Sequence, residues 1–218
     1  MKALRSLLTL LISISLAYAI ILTAIKQGHL GAEIPPQPAA FNSAHLVKAL
    51  DAKLLAAATR GDPDTVRRCL ADGADINARD YVGGTPLRYA LINNHTDLSL
   101  LLIDRGADLR NHDDFGQTPL MSAAGKCPGK VIRLLIDKGG NIDARDMWGQ
   151  NALMHAVAGD NADAVRVLLA AGSNVNFVDK LGRTALLTAK QSGYKDMLRL
   201  LRSHRAVSIA PDHPSTAY

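Results

Sequence analysis

Two hydrophobic patterns divide the chain. From Ser6 through Ile25 the residues are uncharged and mostly apolar, bounded by Lys2 and Arg5 before and Lys26 after. As a helix this stretch would span about 30 Å, the thickness of a bilayer's hydrocarbon core. A core helix would show a polar face, and this segment offers only Ser and Thr. Residues 1–26 are therefore expected to be a signal peptide or an N-terminal membrane anchor. Ala17-Tyr18-Ala19 is an A-x-A cleavage signature, but a cut there would leave Ile20-Ile21-Leu22 at the new N-terminus, which favours the uncleaved anchor. The flanking cations place the N-terminus in the cytoplasm and the remainder outside it. The following linker, residues 27–46, contains Pro35-Pro36-Gln37-Pro38 and reads as a stiff spacer.

Beyond residue 46 short apolar runs at helical spacing alternate with turns. Asp80-Tyr81-Val82-Gly83-Gly84-Thr85-Pro86-Leu87 recurs from Asp113, from Asp146 and from Asp179, each start 33 residues after the last. A second signature holds the same phase at Gly73-Ala74-Asp75, Gly106-Ala107-Asp108, Gly139-Gly140-Asn141 and Gly172-Ser173-Asn174. Two motifs in one register at this period are the mark of a stacked repeat. In each unit a glycine serves the tight turn, Thr85 or Thr118 can cap a helix, and Pro86 or Pro119 fits its first turn. A second helix begins near Asp64, Asp97, Asp163 or Asp196, acids that favour the N-terminal dipole, and stops at the glycine of the second signature.

The repeat resembles the ankyrin family, in an exported or membrane-anchored type such as bacteria carry. The resemblance covers residues 47–206 and implies an all-α solenoid of turns and antiparallel helix pairs. Its units are 47–79, 80–112, 113–145, 146–178 and 179–206: three full repeats between an N-terminal and a C-terminal cap. Residues 207–218 are expected to be a disordered tail. The caps are legible in the second helices, where Arg68-Cys69-Leu70 and Leu200-Leu201-Arg202 stand against Leu101-Leu102-Ile103 and Val167-Leu168-Leu169. Each end places an arginine on the side with no neighbour. In one respect the chain departs from the family's T-P-L-H-x-A pattern. Arg88, Met121, Met154 and Leu187 replace its His, so a bond that braces the family's turns is expected to be missing.

Composition narrows the function. Lys2, Arg5 and Lys26 belong to the apolar segment, leaving 22 of the 25 basic residues against 20 acidic ones. No long run of one sign remains, which argues against nucleic acid as a partner. Cys69 and Cys127 are too few for a disulfide framework and lie too far apart in the repeat to pair. Cys69 is read as a core filler and Cys127 as an inter-helix turn residue. Gly125-Lys126-Cys127-Pro128-Gly129-Lys130 lacks the glycine and the Ser or Thr of a phosphate loop. Asn94-His95-Thr96 is a glycosylation sequon on a turn. The seven His show no ligand spacing, His155 is read as a surface or groove residue, and no metal, cofactor or catalytic residue is nominated.

What remains is recognition. Tyr81, Val82, Phe115, Met147, Trp148 and Leu181 fall at successive turn tips, with Arg79, His112 and Arg145 just before three turns. Large apolar groups rimmed by cations suit a protein-binding face. The expected function is non-catalytic protein–protein recognition through the concave face, by a monomer, outside the cytoplasm. The alternative is an inhibitor or immunity-type protein that blocks one exported toxin or enzyme.

Overall fold

A computed structural model of the chain describes residues 49–204. The apolar segment, the linker and the C-terminal tail lie outside the described residues. Within them no helix is long and apolar enough to cross a membrane.

The described residues form helix pairs. They are α1 (Ala49–Arg60) with α2 (Pro63–Ala71), α3 (Pro86–Ile92) with α4 (Thr96–Asp104), and α5 (Pro119–Ala124) with α6 (Gly129–Asp137). Then come α7 (Ala152–Ala158) with α8 (Ala162–Ala170), and α9 (Ala185–Gln191) with α10 (Lys195–Ser203). Helices this short are not stable alone and depend on burial against neighbours. The first helices α1, α3, α5, α7 and α9 contact one another in sequence, and α4, α6 and α8 pack in a second row. Among the described residues no strand is present, and the 33-residue solenoid stands as expected.

Capping follows the repeated motif. Thr85, Thr118, Asn151 and Thr184 each accept a hydrogen bond from the amide three residues on, at 3.2, 3.3, 3.0 and 3.1 Å. Ala90, Ala123, Ala156 and Ala189 are fully buried, and their small side chains let the first helices approach closely. In the second helices the middle residue of the triplet is deepest: Cys69, Leu102, Leu135, Leu168 and Leu201 are at most 1% exposed. The first residue of that triplet is only half-buried even in inner repeats, so the caps rest mainly on the third position. Ile103 and Leu169 are buried there and Ile136 is half-buried, whereas Arg202 is exposed.

The third unit departs from the others at its inter-helix turn. Elsewhere this turn uses a left-handed residue: Gly61, Asn94, Asp160 and Gly193 have φ of 72, 58, 52 and 75°. The next amide (Asp62, His95, Asn161 or Tyr194) then returns to the inner helix at 2.8–3.0 Å. Pro128 has no N–H to return. Cys127 takes over by donating its own amide to the Ala123 carbonyl at 2.8 Å, and its side chain turns into the core. Asn161 of the next unit covers the altered turn, donating to Ala124 O at 3.0 Å and Cys127 O at 2.8 Å.

Leu168→Ala should cost about 2–5 kcal/mol as a fully buried truncation. Arg202→Leu should stay within about 0.5 kcal/mol, since it is exposed, while promoting self-association. Urea unfolding and sedimentation of both variants check the pair; equal midpoints for Leu168→Ala and the parent chain would count against this packing.

Candidate functional site

The turn tips are built on one carboxylate per repeat. Asp80 Oδ1 accepts the amides of Val82 and Gly84 at 3.0 and 2.8 Å. Asp113 holds those of Phe115 and Gln117 at 2.9 and 2.8 Å, and Asp146 those of Trp148 and Gln150 at 3.0 and 2.8 Å. Asp179 holds those of Leu181 and Arg183, both at 2.9 Å. Each tip then joins the next: Asp114, Met147 and Lys180 donate their amides to the carbonyls of Val82, Phe115 and Trp148 at 3.1, 2.8 and 3.0 Å. Gly149 follows Trp148 at φ +79°, a conformation side chains rarely adopt, and a Cβ there would meet the Lys180 amide at 3.2 Å.

The second oxygen of each carboxylate has a different partner in every turn, a hydrogen-bond donor in three and an ion pair at Asp113. Tyr89 OH bonds Asp80, and the Arg88 guanidinium reaches across to Asp113 at 2.8 Å. His155 Nε2 bonds Asp146 at 2.8 Å, and Arg183 with Gln150 bonds Asp179 at 2.8 and 3.2 Å. The brace expected to be missing is therefore supplied by other side chains, one of them Arg88 itself. His155 is correspondingly no free groove residue. It is half-buried and tied to a carboxylate already engaged by two amides. Burial pushes the Asp113 carboxyl up against the pull of Arg88. At Asp179 burial acts the same way, but the Arg183 amide with the side chains of Gln150 and Arg183 outweighs it and holds the carboxyl below the usual range. Burial and the bond to Asp80 raise the Tyr89 phenol.

This scaffold places the nominated residues as follows. Tyr81, Trp148 and Leu181 are exposed by 49, 38 and 52%, while Val82, Phe115 and Met147 are half-buried. Phe115 and Trp148 stack, ring centroids 6.0 Å apart and planes 12° apart, so two adjacent tips share one aromatic surface. The arginines are not a free rim. Arg79 donates to His112 O at 2.9 Å and to Asn111 Oδ1 at 3.3 Å, with Asp114 at 3.7 Å. Arg145 donates to Val178 O at 2.8 Å, its guanidinium 3.9 Å above the Phe177 ring. Both tie one loop to the next, a role invisible without the fold. His112 is exposed, and its Nδ1 lies 3.1 Å from the neighbouring Asp113 carbonyl.

Among the described residues no cluster of three His, Cys, Asp or Glu could hold a metal ion. Cys69 and Cys127 are free thiols and buried. Cys127 Sγ donates to Leu91 O at 3.3 Å, and burial pushes the thiol up to about 11, so the neighbouring lysines do not activate it. It is a core residue rather than an exposed turn residue.

Ankyrin repeats, in three copies, are the family whose model matches the chain, over residues 54–146 and 130–211. No curated protein matches it.

Since the thiolate is the reactive form, folded protein at pH 8 should resist iodoacetamide at both cysteines. Both should react after unfolding in urea. Mass spectrometry that finds Cys127 modified in the folded state, or bridged to Cys69, would contradict the packing described.

Proposed function

The chain belongs to the ankyrin-repeat family, whose repeats are generally protein–protein interaction modules and whose members are typically non-catalytic scaffolds, and from that premise we propose that it binds one protein partner across its turn tips. The observation that carries this reading is the stacked Phe115–Trp148 pair, continued at either end of the row by exposed Tyr81 and Leu181. The fold's own needs at these positions are met by backbone bonds to the turn carboxylates and between tips, which any residue could make. A large aromatic here adds rigid apolar area at low entropic cost, the property of interface anchors.

The proposed site of action is outside the cytoplasm, by export or by an uncleaved anchor. Support comes from the uncharged stretch Ser6 to Ile25 between its flanking cations. The inhibitor or immunity role is the narrower form of the same binding function. It separates from a scaffold by one measurement: loss of a captured enzyme's activity in proportion to the chain added.

Trp148→Ala should weaken partner binding by roughly 30-fold, the ratio for an anchor worth about 2 kcal/mol. Losing the stacked contact should lower stability by no more than about 1.5 kcal/mol. Arg199→Ala removes only an exposed pair with Asp196 and should bind normally. Photo-crosslinking from the tip row in an envelope fraction, followed by affinity measurement on the captured protein, checks both. Unchanged affinity in the Phe115→Ala/Trp148→Ala double variant would move the site off the tips.

A C-terminal alkaline phosphatase fusion in a bacterial host should be active, and a fluorescent protein that matures only in the cytoplasm should stay dark. The reverse pattern would overturn the proposed location, and N-terminal sequencing of the product decides between anchor and cleaved signal.

A further inference from the structure

Successive loops of the solenoid are tied at two registers, and the seam between units 80–112 and 113–145 lacks both ties. In the first register the amides of Asp75, Asp108, Asn141 and Asn174 stand one repeat apart, and the last two donate to no described residue. Asp75 N–H donates to the Asp51 carboxylate at 2.9 Å, and Asp108 N–H to Asn77 Oδ1 at 2.8 Å. The residue that should receive Asn141 N–H is Arg110, in the register of Asn77. A guanidinium has no acceptor atom, and Asn141 N–H has no partner among the described residues. In the second register Arg79 and Arg145 each donate to the carbonyl one repeat on. Between them stands His112, whose ring bonds its own neighbour instead.

Both ties therefore fail at the same seam, and a cleft of about 410 Å³ opens there. Arg110, His112, Asn141 and Arg145 line it, with Gly116 and Thr118. The Arg110 guanidinium forms no ion pair or hydrogen bond with a described residue, and it lies across the seam, 4.0 Å from where a Cβ on Gly139 would be. Asp113 is engaged by Arg88 and its turn amides, and Asp108 Oδ1 accepts the Arg110 amide at 2.8 Å. The cleft thus presents an unused backbone donor beside an unpaired fork of guanidinium donors.

We propose that this cleft takes a carboxylate, carried by an acidic residue of the protein bound at the tips. The proposal rests on the protein-binding function above and names the chemistry its partner must bring. The chain itself shows that the register accepts such a group, because Asp51 places a carboxylate on the equivalent amide two loops earlier. A guanidinium matches the two oxygens of a carboxylate in its plane. Gly116 and Arg145 put the cleft next in the chain to Phe115 and close to Trp148, so one bound segment can cross the aromatic stack and reach it. The space suits a side chain or a chain end.

Isothermal titration of the full chain in detergent with acetyl-Asp-Glu-amide should give saturable binding, and acetyl-Asn-Gln-amide should give none. Acetyl-Ala-Ala-Ala with a free C-terminus tests the other source of a carboxylate, and the tighter of the two acids identifies it. Arg110→Ala should weaken the acidic peptide by about tenfold, in line with losing a charged hydrogen bond. Arg110→Asn with His112→Arg restores both ties, so it should abolish the response while raising the unfolding midpoint. Equal binding of the neutral peptide, no effect of Arg110→Ala, or tighter binding of inorganic phosphate than of either acid would overturn the assignment. So would unchanged partner affinity in Arg110→Ala; if Trp148→Ala abolishes capture in the same assay, the cleft falls and the binding face stands.

Discussion

The carboxylate of Asp80, Asp113, Asp146 or Asp179 is the interaction on which the rest of each repeat depends. One oxygen collects two amides of its own turn, which would otherwise be unpaired in a loop that is partly buried. That closes the tip into a fixed shape and aims the next residues into the first helix, whose cap is only a few positions on. With the tip fixed, its carbonyl meets the amide of the following tip, and the stack gains a backbone ladder that no side chain supplies. A short first helix of six or seven residues can form only against neighbours held in this way. The order of dependence runs from carboxylate to turn, from turn to ladder, and from ladder to helix packing.

The second carboxylate oxygen is where the repeats become individuals. A phenol, an imidazole and an Arg–Gln pair each donate to it in three turns, and at Asp113 a guanidinium from the preceding unit lies against it as an ion pair. The requirement is a buried donor, not a particular residue, because an unsatisfied buried carboxylate would be costly. A different side-chain partner therefore stands in at each turn where the family's His is absent. Compensation that draws a donor from the preceding repeat, as Arg88 does for Asp113, also ties two units together at no further cost in ordered residues.

Much of this was legible in the sequence. Period, helix caps and the glycine stops follow from spacing and elementary turn chemistry. Residues whose roles arise across a repeat were not legible. Arg79 and Arg145 look like a basic rim because a sequence shows their charge but not the carbonyl 33 residues on that each one bonds. His155 looks like a free imidazole because its partner lies in the turn before its own helix. Cys127 looks exposed because its position is a turn in every other unit; the sign that it turns inward is Pro128, which removes the amide that turn requires. In each case the missing quantity was the direction of a side chain relative to the next repeat.

The same cross-repeat view explains why one seam of the described solenoid lacks both loop ties. A stack of identical units would close every loop on its neighbour, and its loop surface would carry no cleft. Here two adjacent units depart from the pattern: the second has Arg110 for an acceptor and His112 for a long donor, and the third has Pro128 for a turn amide. The core beneath absorbs the last change by burying Cys127 and recruiting Asn161. The loops above do not absorb the first two, although acceptors and long donors serve at the equivalent positions of the preceding unit. A framework defect repaired on the helix side and left unrepaired on the loop side, next to the one aromatic stack, concentrates the irregularity where a partner would touch it. Stability therefore resides in what the repeats share, and recognition at the seam where two of them depart from it.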